Sequence, residues 1–207
     1  MNFKKLQAMQ GKLDEAILAD KVPMTQEERL NETLVALSVE IAEVANCAEH
    51  FKFWKDNKGT KIDESRFRLE SELMDINLGD NDRLIDLRNN LKEVSFEEAH
   101  RLTLIEECSD ALHFILSLAN QCNENISTME FMLNDEIYSK EEHYRNLQYL
   151  INYMDYREEI NFKNEWIGSI TERFCCYAYS LGVTIEDLEQ AYYDKNKINY
   201  ERLKNGY

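Results

Sequence analysis

Apolar residues recur at alternating steps of four and three residues along one stretch of the chain. The run consists of Leu30, Leu34, Leu37, Ile41, Val44, Ala48 and Phe51. This spacing places all of its members on one face of an α-helix, which must pack against another element. Thr25 and Glu28 precede the run in a capping-box arrangement, so the helix should begin there. We expect one continuous helix that ends before residues 56–59.

Three further segments carry helical signals. Ser95 and Glu98 form a second capping box, and the apolar spacing behind it predicts a helix that fades near residues 123–125. Thr184 begins another helix, which should run to residues 205–206. The first 18 residues also have the pattern of an amphipathic helix.

The scarcity of turn residues favours an all-α fold. The chain has one Pro and six Gly among 207 residues, too few for the many turns of an all-β protein. We find no internal repeat and predict a single helical bundle over residues 1–207, with insertions at 57–94 and 125–180. The helices expected in these insertions cover residues 64–74, 83–91, 129–156 and 166–181.

The charge of the chain limits its partners. A net charge of −16 with no basic stripe argues against nucleic acid and acidic membranes. No segment approaches the roughly 18 apolar residues of a membrane span, and no signal peptide is apparent. Five cysteines without a CxxC pattern favour reduced thiols and a cytoplasmic location. Divalent cations would still allow so acidic a protein to bind phosphates.

Two pairs of carboxylates flank the apolar stripes of two predicted helices. Glu40 and Glu43 lie on the first, and Glu107 and Asp110 on the second. Spacing of i,i+3 puts the members of each pair about 60° apart, close enough to share an ion. Two packed helices would aim four carboxylates at one volume, where Mg²⁺ would relieve their repulsion. A Glu106/Asp110 pairing and an ordinary solvated surface stay open as alternatives.

Other catalytic sites lack the residues that they require. A ferritin-like di-iron centre needs an ExxH pair on each of two helices. Here Glu97–His100 and Asp110–His113 lie on the same helix, and the helix that carries Glu40 has no such pair. The chain also lacks GxxxxGK[ST], GxSxG and HExxH, which excludes P-loop, serine-hydrolase and zincin chemistry.

Four blocks of the chain, in order, resemble the dimeric all-α dUTPase family. They are Met9–Glu15, Leu34–Asn46 with Phe51–Trp54, Glu107–Phe114 and Tyr192–Tyr207. The chain departs from the family at Asp14, where some members have Asn, and at Leu203, where Gln is usual. Residues 125–180 contain none of these blocks.

The resemblance implies a homodimer that hydrolyses dUTP to dUMP and pyrophosphate with more than one Mg²⁺. It assigns the metal to Glu40, Glu43, Glu107 and Asp110, with Glu43 or Glu107 acting on the attacking water. It assigns the base pocket to Gln10, Asp14, Trp54 and Phe114. It assigns the phosphates to Lys195, Asn196, Asn199 and Arg202, of which three share a helix face at steps of four and three. The insertions offer a surface for a regulatory protein.

The residues by themselves leave alternatives open. Basic side chains near residue 202 would also complement a helix dipole, Trp54 would also suit a core or an interface, and His113 suits a packed position. The main alternative function is another all-α pyrophosphatase, MazG-like or dCTP-cleaving. An alternative outside the enzymes is an acidic helical regulatory binding protein, which would have the same composition.

Overall fold

Six helices form the described part of the chain. The computed structural model describes residues 1–19, 21–63, 67–69, 92–126, 138–153 and 160–206, with the backbone alone for 67–69, 92–93 and 160–165. The helices are α1 (Phe3–Leu18), α2 (Gln26–Ala48), α3 (Phe96–Gln121), α4 (Lys140–Tyr153), α5 (Ile160–Ser180) and α6 (Ile185–Lys204). Two short strands, β1 (Phe67–Leu69) and β2 (Lys92–Val94), pair in parallel. The predicted all-α class is confirmed.

Helix α3 lies at the centre of the bundle. It packs against α1, α2, α5 and α6. Eight of the nine residues from 111 to 119 are buried, and Phe114 is the exception. A helix that is covered on several sides can be apolar around most of its circumference, and this one is. Helix α4 packs against α2 and α5. The six helices contribute to one hydrophobic core.

Polar caps fix where three helices begin, as the sequence predicts. The Thr25 and Thr184 hydroxyls each accept a hydrogen bond from the backbone N–H three residues further on. The carboxylate at that position in turn accepts a hydrogen bond from the backbone N–H of the threonine. The Ser95 hydroxyl accepts from the backbone N–H of Glu98. These bonds satisfy donors that the first helical turn leaves unpaired.

Helix α2 ends earlier than its apolar spacing suggests, because it stops at Ala48. Glu49 follows in the left-handed conformation with φ of 54°, and Phe51 is outside the helix. The buried Glu49 carboxylate accepts hydrogen bonds from Lys52 Nζ at 2.8 Å and Lys55 Nζ at 2.6 Å. Burial alone would raise the pKa of Glu49, but the bonds from Lys52, Lys55 and Thr60 hold that pKa well below its usual range. This cluster folds the chain back after α2.

The insertions differ from their predicted helices. Phe67–Leu69 is a strand, so the helix expected at 64–74 is wrong there; its alternating Phe-Arg-Leu pattern suits pairing with β2 better than it suits a helix. Helix α4 begins at Lys140, behind a Ser139 cap, so residues 138–139 are not part of the helix expected over 129–156; the part of that expectation at 129–137 lies outside the described residues. Helix α5 begins at Ile160 rather than at 166. The helix expected at 83–91 lies outside the described residues.

Two consequences of composition can be checked in the fold. All five cysteines are buried and free. Among the described residues, no helix has the length and apolar character that crossing a bilayer requires. The single-domain assignment and the limits of both insertions stay predictions.

Candidate active site

Helices α2 and α3 bring the predicted carboxylates to their shared interface. Glu40 and Glu43 precede Ile41 and Val44, which are fully buried, so their own side chains lie at the edge of the packed seam. Glu107 and Asp110 have the same relation to Cys108 and Ala111 on α3. The apolar contacts between the two helices therefore hold acidic groups from both helices near one another.

Three of the four predicted metal ligands come together. One carboxylate oxygen each from Glu40, Glu43 and Glu107 lies within 4.8 Å of the other two. Such a set of oxygen donors fits a hard divalent cation such as Mg²⁺, which takes its remaining ligands from water and phosphates. The donor chemistry is thus consistent with the expected metal.

Asp110, the fourth predicted ligand, forms an ion pair with Lys195. Its Oδ2 accepts a hydrogen bond from Lys195 Nζ at 2.7 Å, and the same ammonium donates to Glu106 Oε1 at 3.1 Å. Lys195 thus joins the two members of the alternative Glu106/Asp110 pair and ties α6 to α3. An ammonium has three donors, so a third N–H of Lys195 can face a ligand.

Burial and neighbouring like charges raise the pKa of three carboxyl groups at this interface, those of Glu40, Glu107 and Asp110. Burial, followed by the nearby Asp110, Glu43 and Glu107, raises the pKa of Glu40 to about 7. Burial, followed by Glu43 and Asp110, raises the pKa of Glu107 to about 7. Burial also raises the pKa of Asp110, although Lys195 and Arg202 oppose the shift. Like charges in a partly desolvated site produce these shifts, and a bound cation would reverse them.

A cavity of about 370 Å³ adjoins the carboxylates on the side of α1 and α6. It contains six of the predicted substrate-binding residues together with two of the predicted metal ligands. They are Gln10, Asp14, Phe114, Lys195, Asn199, Arg202, Glu40 and Asp110. The predicted base pocket and the predicted phosphate cluster are therefore parts of one space, with acidic metal-binding groups between them.

A largely buried hydrogen-bond network borders this cavity. Gln10 Nε2 donates to Asp14 Oδ1 at 2.8 Å, and Asp14 Oδ2 accepts from Ser117 Oγ at 2.8 Å and Arg29 Nη2 at 3.0 Å. Gln10 Oε1 lies 2.7 Å from His113 Nδ1 and accepts from the Tyr192 hydroxyl at 3.0 Å. Burial raises the pKa of Asp14 despite the bonds from Ser117, Gln10 and Arg29.

Sequence reasoning missed four members of this network. They are Arg29, His113, Ser117 and Tyr192. One signal was available for two of them, because His113 and Ser117 follow Asp110 at three and seven residues and so share its face of α3. Burial, with a contribution from Lys195, lowers the pKa of His113 to about 3, so its ring is neutral at physiological pH.

Two predicted substrate-binding residues are not brought to this cavity. Trp54 is 65 % exposed and packs edge-on against Phe53, with ring centroids 5.1 Å apart. Asn196 is buried beside the Tyr192 hydroxyl and does not line the cavity. Their assigned roles stay predictions that this arrangement of the described residues does not support.

A second cavity of about 580 Å³ lies on the other side of the carboxylates. Glu43, Glu107 and Asp110 border it, together with Lys61 and Asp63 from the segment that precedes β1. The backbone N–H of Asp63 donates to Thr103 Oγ1 at 2.9 Å, which anchors that segment on α3. Sequence reasoning treated residues 57–94 as an insertion and so missed Lys61 and Asp63 as neighbours of the site.

The raised carboxylate pKa values predict how stability depends on pH. A carboxyl group whose pKa is higher in the folded state stabilises that state below its unfolded pKa, and the contribution is lost as pH rises through the folded value near 7. The metal-free protein should therefore melt at a lower temperature at pH 8 than at pH 6.5. The neutral His113 opposes this trend only below its unfolded pKa, near 6.5.

Glu40→Gln should reduce the difference in melting temperature between pH 6.5 and pH 8. Glu32→Gln, a change at an exposed position on the same helix, should leave that difference as it is in the parent. Mg²⁺ should raise the melting temperature more at pH 8 than at pH 6.5, because protons compete for its ligands. Thermal melts at both pH values, with and without Mg²⁺, measure all of these effects. If the parent and Glu40→Gln show the same difference in melting temperature between the two pH values, Glu40 is not the group that stays protonated in the folded state.

Comparison with known proteins agrees with the geometry of the site. A family model described as dUTPase matches residues 2–77 and 94–207, which is most of the chain. A search of curated proteins found no match. The family match includes α1, α2, α3 and α6, which supply the carboxylates and the smaller cavity. The chain belongs to the dUTPase family, and its activity is that of a dUTP diphosphatase.

Proposed function

We propose that the chain hydrolyses dUTP to dUMP and pyrophosphate with Mg²⁺ held by Glu40, Glu43, Glu107 and Asp110. The observation that carries the proposal is the position of these carboxylates between two cavities, the smaller of which is also lined by Lys195 and Arg202. An acidic cluster beside Lys195 and Arg202 suits a substrate whose phosphates bind both cations of the protein and metal ions.

The smaller cavity is suited to bind the nucleotide. Gln10 and Phe114 line it and would contact the base. Three lining residues from α6, Lys195, Asn199 and Arg202, would contact phosphate oxygens. Lys195 already donates to Asp110, so a phosphate beside it would also lie beside the metal ligands. The substrate would thereby be oriented with its phosphates toward the carboxylates.

Glu43 and Glu107 are the proposed residues for handling the water. Both border the larger cavity, so either can orient a water there and accept its proton. Mg²⁺, when bound, would neutralise part of the carboxylate and phosphate charge and make water more acidic. Lys61, on the rim of the same cavity, adds positive charge near the phosphates.

We also propose that the protein acts as a homodimer. Val35 and Val39 are 65 % and 49 % exposed on the outer face of α2, and Phe53 and Trp54 are exposed beyond its end. A partner chain on these apolar side chains would remove them from water. The cytoplasmic location and the binding of a regulatory protein to an insertion stay predictions.

Substrate preference tests the proposed reaction most directly. With Mg²⁺, the parent should release pyrophosphate far faster from dUTP than from dCTP, whose base edge does not match the pocket, or from dTTP, whose methyl group the pocket would exclude. Glu43→Gln should lower kcat/KM by more than about 100-fold, since loss of even an outer-shell partner costs 10- to 100-fold at metal sites. Comparable rates on dCTP would favour a dCTP-cleaving enzyme, and an active Glu43→Gln would exclude the metal site.

Arg202→Ala should lower kcat/KM for dUTP by about 10- to 100-fold, because a charge-assisted bond to a phosphate contributes about 1.5–3 kcal/mol. Its fold should persist, since the side chain is exposed on the last turn of α6. Lys204→Ala is the matched control, because Lys204 is a basic, exposed residue of the same turn that does not line the cavity. Equal kinetics for the two variants would mean that Arg202 only complements the helix dipole.

The solution mass tests the dimer. Light scattering after size exclusion should give twice the chain mass for the parent. Val39→Glu should shift the protein toward the monomer, because an unpaired charge in an apolar interface is costly. A parent that runs as a monomer at all concentrations would contradict the proposal, and an unaffected Val39→Glu dimer would place the interface elsewhere.

A further inference from the structure

The Gln10 amide is held in one orientation by three side chains. Its oxygen faces two groups that can donate, the Tyr192 hydroxyl at 3.0 Å and His113 Nδ1 at 2.7 Å. Its nitrogen faces the Asp14 carboxylate, which accepts at 2.8 Å. Reversing the amide would set its oxygen against the carboxylate and leave Tyr192 only the longer contact to the Leu6 carbonyl at 3.3 Å, so the reverse orientation is disfavoured.

This orientation also determines the tautomer of His113. Because the nearby Gln10 oxygen can only accept, His113 Nδ1 must hold the proton of the neutral ring. Nε2 is then an acceptor; it is buried and has no hydrogen-bond partner among the described residues. The ring is further held by stacking on Tyr192, with centroids 4.2 Å apart.

The cavity therefore offers a ligand a hydrogen-bond donor, the second N–H of Gln10, since the first is given to Asp14. Gln10 lines the smaller cavity. Uracil presents O4, which accepts a hydrogen bond, where cytosine presents a 4-amino group, which donates one. A fixed N–H of Gln10 therefore favours uracil.

We propose that Tyr192 is a positioning residue for base selection. With His113 it keeps the Gln10 oxygen turned away from the ligand, so that the cavity presents an N–H to O4 of uracil and rejects the amino group of cytosine. The proposal rests on the proposed function, since it requires that the base of dUTP enters this cavity. Tyr192 itself acts through Gln10 and is fully buried.

Removal of the hydroxyl alone tests this role. Tyr192→Phe keeps the ring and its stacking on His113 but frees one side of the Gln10 oxygen. The ratio of kcat/KM for dUTP to that for dCTP should fall about fivefold, the effect of one net hydrogen bond of about 1 kcal/mol. Tyr193→Phe is the matched control, because the Tyr193 hydroxyl bonds Glu189 outside the cavity, and its ratio should equal that of the parent. A purely structural Tyr192 would lower the melting temperature and leave the ratio unchanged, which would overturn the proposal.

A second measurement separates this proposal from the proposed function. ¹⁵N NMR of the ligand-free protein should show His113 as the Nδ1–H tautomer in the parent, with some Nε2–H tautomer in Tyr192→Phe. A parent with the Nε2–H tautomer would overturn the proposal even if dUTP is hydrolysed. If the parent hydrolyses no dUTP, the proposed function fails. In that case the affinities for dUMP and dCMP can be compared by titration. Base selection is supported if the parent binds dUMP more tightly than dCMP and Tyr192→Phe reduces this preference. It is overturned if the parent binds the two nucleotides equally.

Discussion

The burial of α3 on several sides is the constraint on which the rest of this structure depends. Each helix that supplies a functional group, α1, α2 or α6, packs directly against it. An apolar helix at the centre of a bundle leaves only a few edges for polar side chains, and those edges face neighbouring helices. Glu107, Asp110, His113 and Ser117 occupy such edges, so the same contacts that form the core also assemble the site.

The site places like charges where their mutual repulsion is not fully screened. Glu40, Glu43 and Glu107 meet at the α2–α3 seam, and the raised pKa values of Glu40 and Glu107 report the free energy that their ionisation costs. Lys195 offsets part of this repulsion through Asp110 and Glu106. A site of this kind favours cations and phosphates together, because each relieves a charge that the other leaves unbalanced. Packing in the core must supply the stability that such a site removes.

Asp14 shows how one departure from the family pattern is accommodated. A carboxylate buried beside the proposed base pocket would be unfavourable alone, but Arg29, Ser117 and Gln10 all donate to it. Its acceptors are thus largely occupied within the protein, and its main effect is on the orientation of Gln10. Base selection in this chain would therefore depend on residues from α1, α3 and α6 acting as one network, rather than on any single contact.

Local patterns in the sequence determined the helices, their capped beginnings and the edge positions of Glu40, Glu43, Glu107 and Asp110, because helix periodicity and caps depend on residues within one or two turns. They did not determine the end of α2 at Glu49, whose left-handed turn depends on Lys52, Lys55 and Thr60, nor the pairing of β1 with β2. Tertiary structure alone decided that Lys195 bonds Asp110, that Tyr192 and His113 hold Gln10, and that Trp54 and Asn196 lie away from the cavity. These outcomes depend on how each helix is rotated against its neighbours, and that rotation is set by the packing of the whole core.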